Sequence, residues 1–223
     1  MPSLTIENYV KAIYQLTHGS GDDNAATGKL AAALEVSPST ASNMVKTLGD
    51  SGLVEYLPYE GAKLTPQGLV LALRVLRRHR LIELFLVRTL GLTWDEVHAE
   101  AENMEHAVSD LLVDRIDAFL GFPDSDPHGD PIPKADGTMA VTAGKRLTEL
   151  SAGTHFRLVR VRDQASEFLR YLSEQKLQLG TVGVVVTSRP EAGIITFSVA
   201  GQEVTLSQTV AERLLVEVVS LSQ

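Results

Sequence analysis

Apolar positions early in the chain recur at helical spacing. Ile6, Tyr9/Val10, Ile13 and Leu16 form one stripe, which predicts a first helix over 6–16, and the glycines and aspartates of 18–24 read as a loop. A short helix over 27–34 follows, with Thr27 as its cap, then a tight turn at Val36–Ser37. The next helix spans 38–50, with Ser37 at the N-cap, Pro38 in the first turn, and Met44, Val45 and Leu48 inward. Two short alternating runs, 54–57 and 62–65, flank a turn at 58–61 and predict a hairpin.

Longer periodic stretches come next. Leu69, Leu73, Leu76, Leu84 and Leu86–Val87 predict a helix over 69–90 that also carries Arg74, Arg77, Arg78 and Arg80. Val97, Ala101, Met104, Val108, Leu111/Leu112 and Ile116 predict a single helix over 95–120, with a stripe wide enough to serve a second copy of the chain. Four prolines between 122 and 137 mark a linker. Beyond it the pattern becomes β-type at 158–161, 183–186, 194–199 and 202–206, with a helix near 165–175, which suggests a small barrel. The expected domains are 1–65, 66–121, a linker at 122–140, and 141–223.

The order helix, tight turn, capped helix and hairpin is that of a winged helix-turn-helix. Its recognition segment starts small and hydroxylated, so a helix N-terminus can approach a DNA phosphate backbone. Thr27, Ser37, Pro38, Ser39, Thr40 and Ser42 are the candidate contacts there. Asn43 suits an adenine edge, Lys46 a phosphate, and Lys63 stands near the base of the wing. A winged helix can also act as a plain protein-interaction module.

Composition narrows the partners. The formal net charge is −8, but residues 1–80 carry +1 and the remainder −9. An acidic chain of this kind reaches DNA only through a local patch, helped by a bound cation. With no cysteine, thiolate metal sites and disulfides are excluded. No leader pattern or long apolar run stands out, so a cytoplasmic protein without a membrane span is expected.

The densest chemistry lies in His98-Ala99-Glu100-Ala101-Glu102-Asn103-Met104-Glu105-His106. At about 100° per residue, His98, Glu102, Glu105 and His106 share one side of a helix. His79 and Glu83 form a second pair at i,i+4. Imidazoles and carboxylates at this density suit a divalent cation. A hydrolase is a poor fit, because the Glu102-x-x-Glu105-His106 spacing lacks the first histidine of the inverted zinc-protease pattern.

Together with Glu7-Asn8-Tyr9-Val10-Lys11-Ala12-Ile13-Tyr14, Arg78-His79-Arg80-Leu81-Ile82-Glu83 and Pro127-His128-Gly129-Asp130-Pro131-Ile132-Pro133, these motifs resemble the diphtheria toxin repressor family of metal-activated regulators. The resemblance covers nearly the whole chain. It implies a mainly α protein with a small β domain: a winged helix-turn-helix, a helical dimerisation domain and a C-terminal SH3-like barrel of the FeoA type. It implies a homodimeric repressor of metal homeostasis that binds a palindromic double-stranded operator.

Two metal sites per chain are also implied. The regulatory one would use Asn8, Glu102, Glu105 and His106. The ancillary one would use His79, Glu83 and His98, joined by Asp126 and His128, with Asp163, Gln164 and Glu167 as candidates to reach across from the barrel helix. Iron-responsive members place sulfur at the Asn8 and Glu102 positions, so the oxygen donors here favour Mn2+, with Fe2+ as the alternative. Asn8 departs from the aspartate often found there. Lys11 stands where an acidic residue can occur, which disfavours two ions at the regulatory site.

Overall fold

The computed structural model describes residues 4–20, 23–57, 60–140 and 144–220. It divides into two compact units, the first made of residues 1–79 with 105–108 and 133–138, the second of 80–104, 109–132 and 139–223.

The first unit opens with α1 (Leu4–Ser20), α2 (Thr27–Ala33) and α3 (Pro38–Asp50). Val10 and Ile13 of α1, Leu30 of α2, and Ala41, Val45 and Leu48 of α3 are fully buried together with Ala62. The turn between α2 and α3 closes through Glu35, which adopts a left-handed backbone with φ of 53°. Ser37 caps α3 by accepting the Thr40 N–H at 3.1 Å, with Pro38 at the helix start. This satisfies one of the donors that every helix N-terminus leaves open.

Strands β1 (Val54–Leu57) and β2 (Gly61–Leu64) pair antiparallel, and Ala25 adds a bridge to Ala62. Gly61 is required there, because at its φ of 117° a Cβ would lie 2.4 Å from the Ala25 carbonyl oxygen. The long helix α4 (Pro66–Phe85) begins in this unit, and the boundary between the units falls within it, after His79.

In the second unit α4 ends in a π-helical turn, Leu86–Leu90, stopped by Gly91 in the left-handed region. Helices α5 (Val97–Met104) and α6 (Asp110–Phe119) follow. The barrel domain is a six-stranded antiparallel sheet in the order β3-β8-β4-β5-β6-β7. Its strands are β3 (Lys145–Arg146), β4 (His155–Val161), β5 (Val182–Arg189), β6 (Ile194–Val199), β7 (Gln202–Ser207) and β8 (Leu214–Val218). Bulges in β4 and β5 bend the sheet. Helices α7 (Ser166–Glu174) and α8 (Gln208–Ala211) complete the domain. Phe156 and Phe197 meet edge to face at 5.5 Å in the core, which also takes in Leu169, Leu172 and Trp94.

Several expectations need correction. The helix expected over 95–120 is two helices, because Ser109 caps α6 by accepting the Leu112 N–H and so interrupts a stripe whose apolar spacing runs on. Glu105 and His106 consequently lie in the turn after α5 rather than on a regular helix. The first helix runs on to Ser20, into the stretch read as a loop. Thr27 is the first helical residue of α2, and the cap position, Ala26, offers no side-chain bond. Ala41, not Met44, completes the buried face of α3. The helix expected to reach Leu90 turns π-helical after Phe85. Strands β3 and β8 were not anticipated. Pro58 and Tyr59 of the wing turn lie outside the described residues, as do 141–143 at the start of the expected barrel.

Candidate metal centre and nucleic-acid interface

On α1, Glu7 and Lys11 are one turn apart and both buried, with Asn8 beside them. Lys11 Nζ donates to both carboxylate oxygens of Glu105 at 2.8 Å. His79 Nδ1 lies 2.6 Å from Glu105 Oε2, and His106 Nδ1 lies 2.7 Å from Glu7 Oε2. Arg78 stands 3.6 Å from Glu7. Burial pushes the Glu105 carboxyl up, but the His79 bond and the Lys11 charge prevail and hold it below its ordinary value. Glu105 is therefore an ionised acceptor, and His79 must present Nδ1–H to it.

The same reasoning fixes His106. Its Nδ1–H donates to Glu7, so Nε2 carries the ring's lone pair in the neutral form. That Nε2 is buried without a hydrogen-bond partner, 3.2 Å from Glu105 Oε1. Two electron-pair donors at that separation repel unless positive charge lies between them. The amide oxygen of Asn8 is likewise buried and without a hydrogen-bond partner. Amide oxygen, carboxylate and imidazole suit a divalent ion of intermediate hardness, so the donors fit the implied metal.

A second cluster lies wholly in the other unit. Glu83 is fully buried, with Oε1 at 3.2 Å from His98 Nδ1 and Oε2 at 3.7 Å from His128 Nδ1. His98 Nε2 is 3.8 Å from Glu102, and both side chains are 38% exposed, open enough for exchange with solvent. Glu83, Asp126 and His128 each bring a ligand atom within 4.8 Å of the others. His128 Nε2 donates to the Trp94 carbonyl at 2.7 Å, which leaves Nδ1 facing the two carboxylates. Neither that Nδ1 nor Asp126 Oδ2 has a hydrogen-bond partner.

The titration of this cluster points the same way. Burial, reinforced by Asp130 and Glu83, pushes Asp126 up to about 7. Burial lowers His128, but the Glu83 carboxylate outweighs it and the net shift is upward. The site resists further negative charge and attracts a cation.

The loop carrying these groups is rigidly held. Asp126 Oδ1 accepts the backbone N–H groups of His128 and Asp130. The His128 carbonyl receives the Val161 N–H at 2.9 Å. Gly129, at a φ of 86°, has no room for a Cβ, which would lie 2.1 Å from the Val159 carbonyl oxygen. Asp130 gathers Arg80, Arg160 and Gln164. Trp94 stacks on His128 with 6.3 Å between centroids and donates its Nε1–H to Ser173.

The barrel-helix candidates go elsewhere. Asp163 accepts the Ala165 N–H and pairs with Arg213, Glu167 is exposed on α7, and Gln164 is bonded to Asp130. Neither Asp163 nor Glu167 joins a close group of histidines and carboxylates among the described residues. Sequence reasoning missed Glu7, Arg78, Trp94 and Asp130 as members of these clusters. It read Lys11 only as a departure from pattern, although Glu7 and Lys11 at i,i+4 are a visible helix pair.

At the start of α3, Ser37, Pro38, Ser39, Thr40, Asn43 and Lys46 are exposed. The Ser37 hydroxyl also bonds those of Ser39 and Thr40 at 2.8 Å. Ser42 donates to the Pro38 carbonyl and is half-buried, as is Thr27. Lys63 is exposed on β2. In the second unit, Leu90, Leu111, Leu112, Phe119 and Phe122 are large apolar side chains left exposed, three of them on α6. Among the described residues no helix is long and apolar enough to cross a membrane.

Comparison with known proteins matches residues 1–62 to a domain described as iron dependent repressor, N-terminal DNA binding domain. Residues 65–134 match the iron dependent repressor, metal binding and dimerisation domain, and 145–218 the FeoA domain. The iron-dependent repressor IdeR of Mycobacterium leprae is 33% identical over 226 residues, covering 96% of each chain. The diphtheria toxin repressor of Corynebacterium diphtheriae is 32% identical over 222 residues, again covering 96% of each. A solved manganese-dependent transcriptional repressor in complex with manganese superposes with a TM-score of 0.87 at 39% identity, covering 96% of this chain and all of that one. With its three domains in family order and its relatives aligned nearly end to end, the chain belongs to the iron-dependent, or diphtheria toxin, repressor family.

Proposed function

We propose that this chain is a cytoplasmic, metal-activated transcriptional repressor that binds a palindromic operator as a homodimer and responds to Mn2+. The observation that carries the reading is the buried His106 Nε2, held 3.2 Å from the Glu105 carboxylate without a hydrogen bond, together with the Asn8 amide oxygen of α1, likewise buried and without a hydrogen-bond partner. Asn8, Glu105 and His106 would hold the regulatory ion, with Glu102 added on the resemblance. Glu83, His98, Asp126 and His128 would hold the second, with His79 added on the same ground. A divalent ion supplies positive charge and directional bonds at these donors. Through such an ion Asn8 would tie α1 to the Glu105–His106 turn, which would fix the orientation of the DNA-binding helices.

The chain's own residues read the duplex. The capped N-terminus of α3 presents backbone N–H groups and the hydroxyls of Ser39 and Thr40 to phosphate, while Asn43 faces base edges and Lys46 the backbone. The exposed face of α6 would bury itself against a second copy, placing two α3 helices about 34 Å apart on one face of the duplex.

Oxygen and imidazole donors without sulfur favour Mn2+. Iron sensing is the second reading, supported by the iron-dependent repressor relatives at 33–34% identity. A duplex selected from a random library in the presence of Mn2+, followed by fluorescence anisotropy in Mn2+, in anaerobic Fe2+ and in EDTA, tests both. Metal-dependent binding is expected, at lower Mn2+ than Fe2+. Equal binding in EDTA would leave a metal-independent winged-helix module.

A further inference from the structure

Lys11 is 5% exposed and Glu105 fully buried, and the ammonium grips both oxygens of that carboxylate at 2.8 Å. Glu105 is also the carboxylate that faces the His106 lone pair and accepts from His79. The position an incoming cation needs is thus covered by one that the chain itself supplies. Lys11 lies one helical turn from Glu7 and next to Asn8, on the helix that also contributes the amide oxygen. Its ammonium is 3.3 Å from His79 Nδ1, a nitrogen already committed to Glu105, so the two cationic or donor groups share one carboxylate. An ammonium on a four-carbon stem is a compact charge that can swing out when a stronger one arrives.

We infer that Lys11 is a built-in competitor for the regulatory ion: its ammonium neutralises Glu105 until a divalent cation displaces it, and so sets the metal concentration at which the protein responds. The inference rests on the proposed regulatory site and assigns one of its properties to a residue outside the ligand set. Coulomb repulsion between the ammonium and a divalent ion on a shared carboxylate makes simultaneous occupancy unfavourable in a buried setting. Displacement returns a buried charge to water, which recovers part of the cost of the exchange.

Two measurements on the full chain test this. Calorimetric Mn2+ titration compares wild type, Lys11→Met and Lys11→Arg, with His106→Ala identifying the heat that belongs to the regulatory site. Lys11→Met is expected to tighten that component by about 10-fold, whereas Lys11→Arg, which keeps the charge, does not. The gain should vanish in Lys11→Met/His106→Ala. The second measurement needs no variant: wild type is acetylated with an N-hydroxysuccinimide ester with and without Mn2+, and each lysine is read by mass spectrometry. Lys11 labelling should rise several-fold with Mn2+ while Lys29 and Lys176 stay constant. Loss of any His106-dependent Mn2+ heat would overturn the proposed site and this inference with it. Intact Mn2+ binding with unchanged Lys11 labelling, or with Lys11→Met no tighter than wild type, would overturn the competitor role alone.

Discussion

Replacing Phe119 by alanine removes the largest single block of apolar surface from the exposed face of α6. Its side chain is 69% exposed, which for a phenylalanine is on the order of 140 Å². At about 25 cal/mol per Å², full coverage of that area is worth roughly 3.5 kcal/mol per protomer. A twofold dimer counts the residue twice, and if about half the area is covered the interface loses ~3–4 kcal/mol. That is roughly two to three decades in the dimer dissociation constant. Phe119→Glu should go further by setting two carboxylates in the interface.

Sedimentation velocity over a nanomolar to micromolar series reads the constant directly. Val182→Ala, on a barrel residue with 43% exposure, serves as the control and should leave it unchanged. Phe119 touches Phe85 edge-on at 6.0 Å, so the fold itself should lose only ~1 kcal/mol. A folded Phe119→Ala protein with an unaltered dimer constant would refute the assignment of this face.

Three further outcomes follow from the clusters and the cap. Glu105→Gln removes the carboxylate that grips the buried Lys11 ammonium and should cost about 3–5 kcal/mol in chemical denaturation; Lys11→Met/Glu105→Gln should recover most of it, and additive losses would contradict the pairing. Asp126 is held up to about 7, above its unfolded value near 3.9. Ionisation is therefore penalised in the folded state, so stability without metal should fall as pH rises from about 4 through 7 and level off above. Metal affinity of this cluster should rise over the same upper range, and Asp126→Asn should flatten both profiles, as followed by thermal melts and calorimetry. Ser37→Ala should cost about 1 kcal/mol in urea denaturation through loss of the α3 cap, and weaken DNA binding along with it.

The elements legible in the sequence were those specified locally. Ser37-Pro38 announces α3 because both residues act within a single turn, and Val10 and Ile13 mark the inner face of α1. The break at Ser109 was not legible, since Met104, Val108 and Leu111 keep helical spacing across it and one serine hydroxyl makes the difference. Strand β3 is two residues long, too short for alternation to show, and β8 is recognisable only from its pairing with β3 and β4. Among the site residues, Glu105 and His106 stood out by composition. The bond from Lys11 to Glu105 spans 94 positions, and nothing local encodes it. Asp163 misled for the opposite reason: its partner, Arg213, lies 50 positions away, and a carboxylate read without its partner looks available.

The chain has a single tryptophan, and its indole is laid parallel to the His128 ring while its own carbonyl holds that imidazole. Its emission is thereby coupled to the charge carried by one histidine, giving the molecule an intrinsic optical gauge of the Glu83–Asp126–His128 pocket. Recorded in the same cuvette as the polarisation of a dye-labelled duplex, that signal would rank in time two ion-capture events that bulk titration merges.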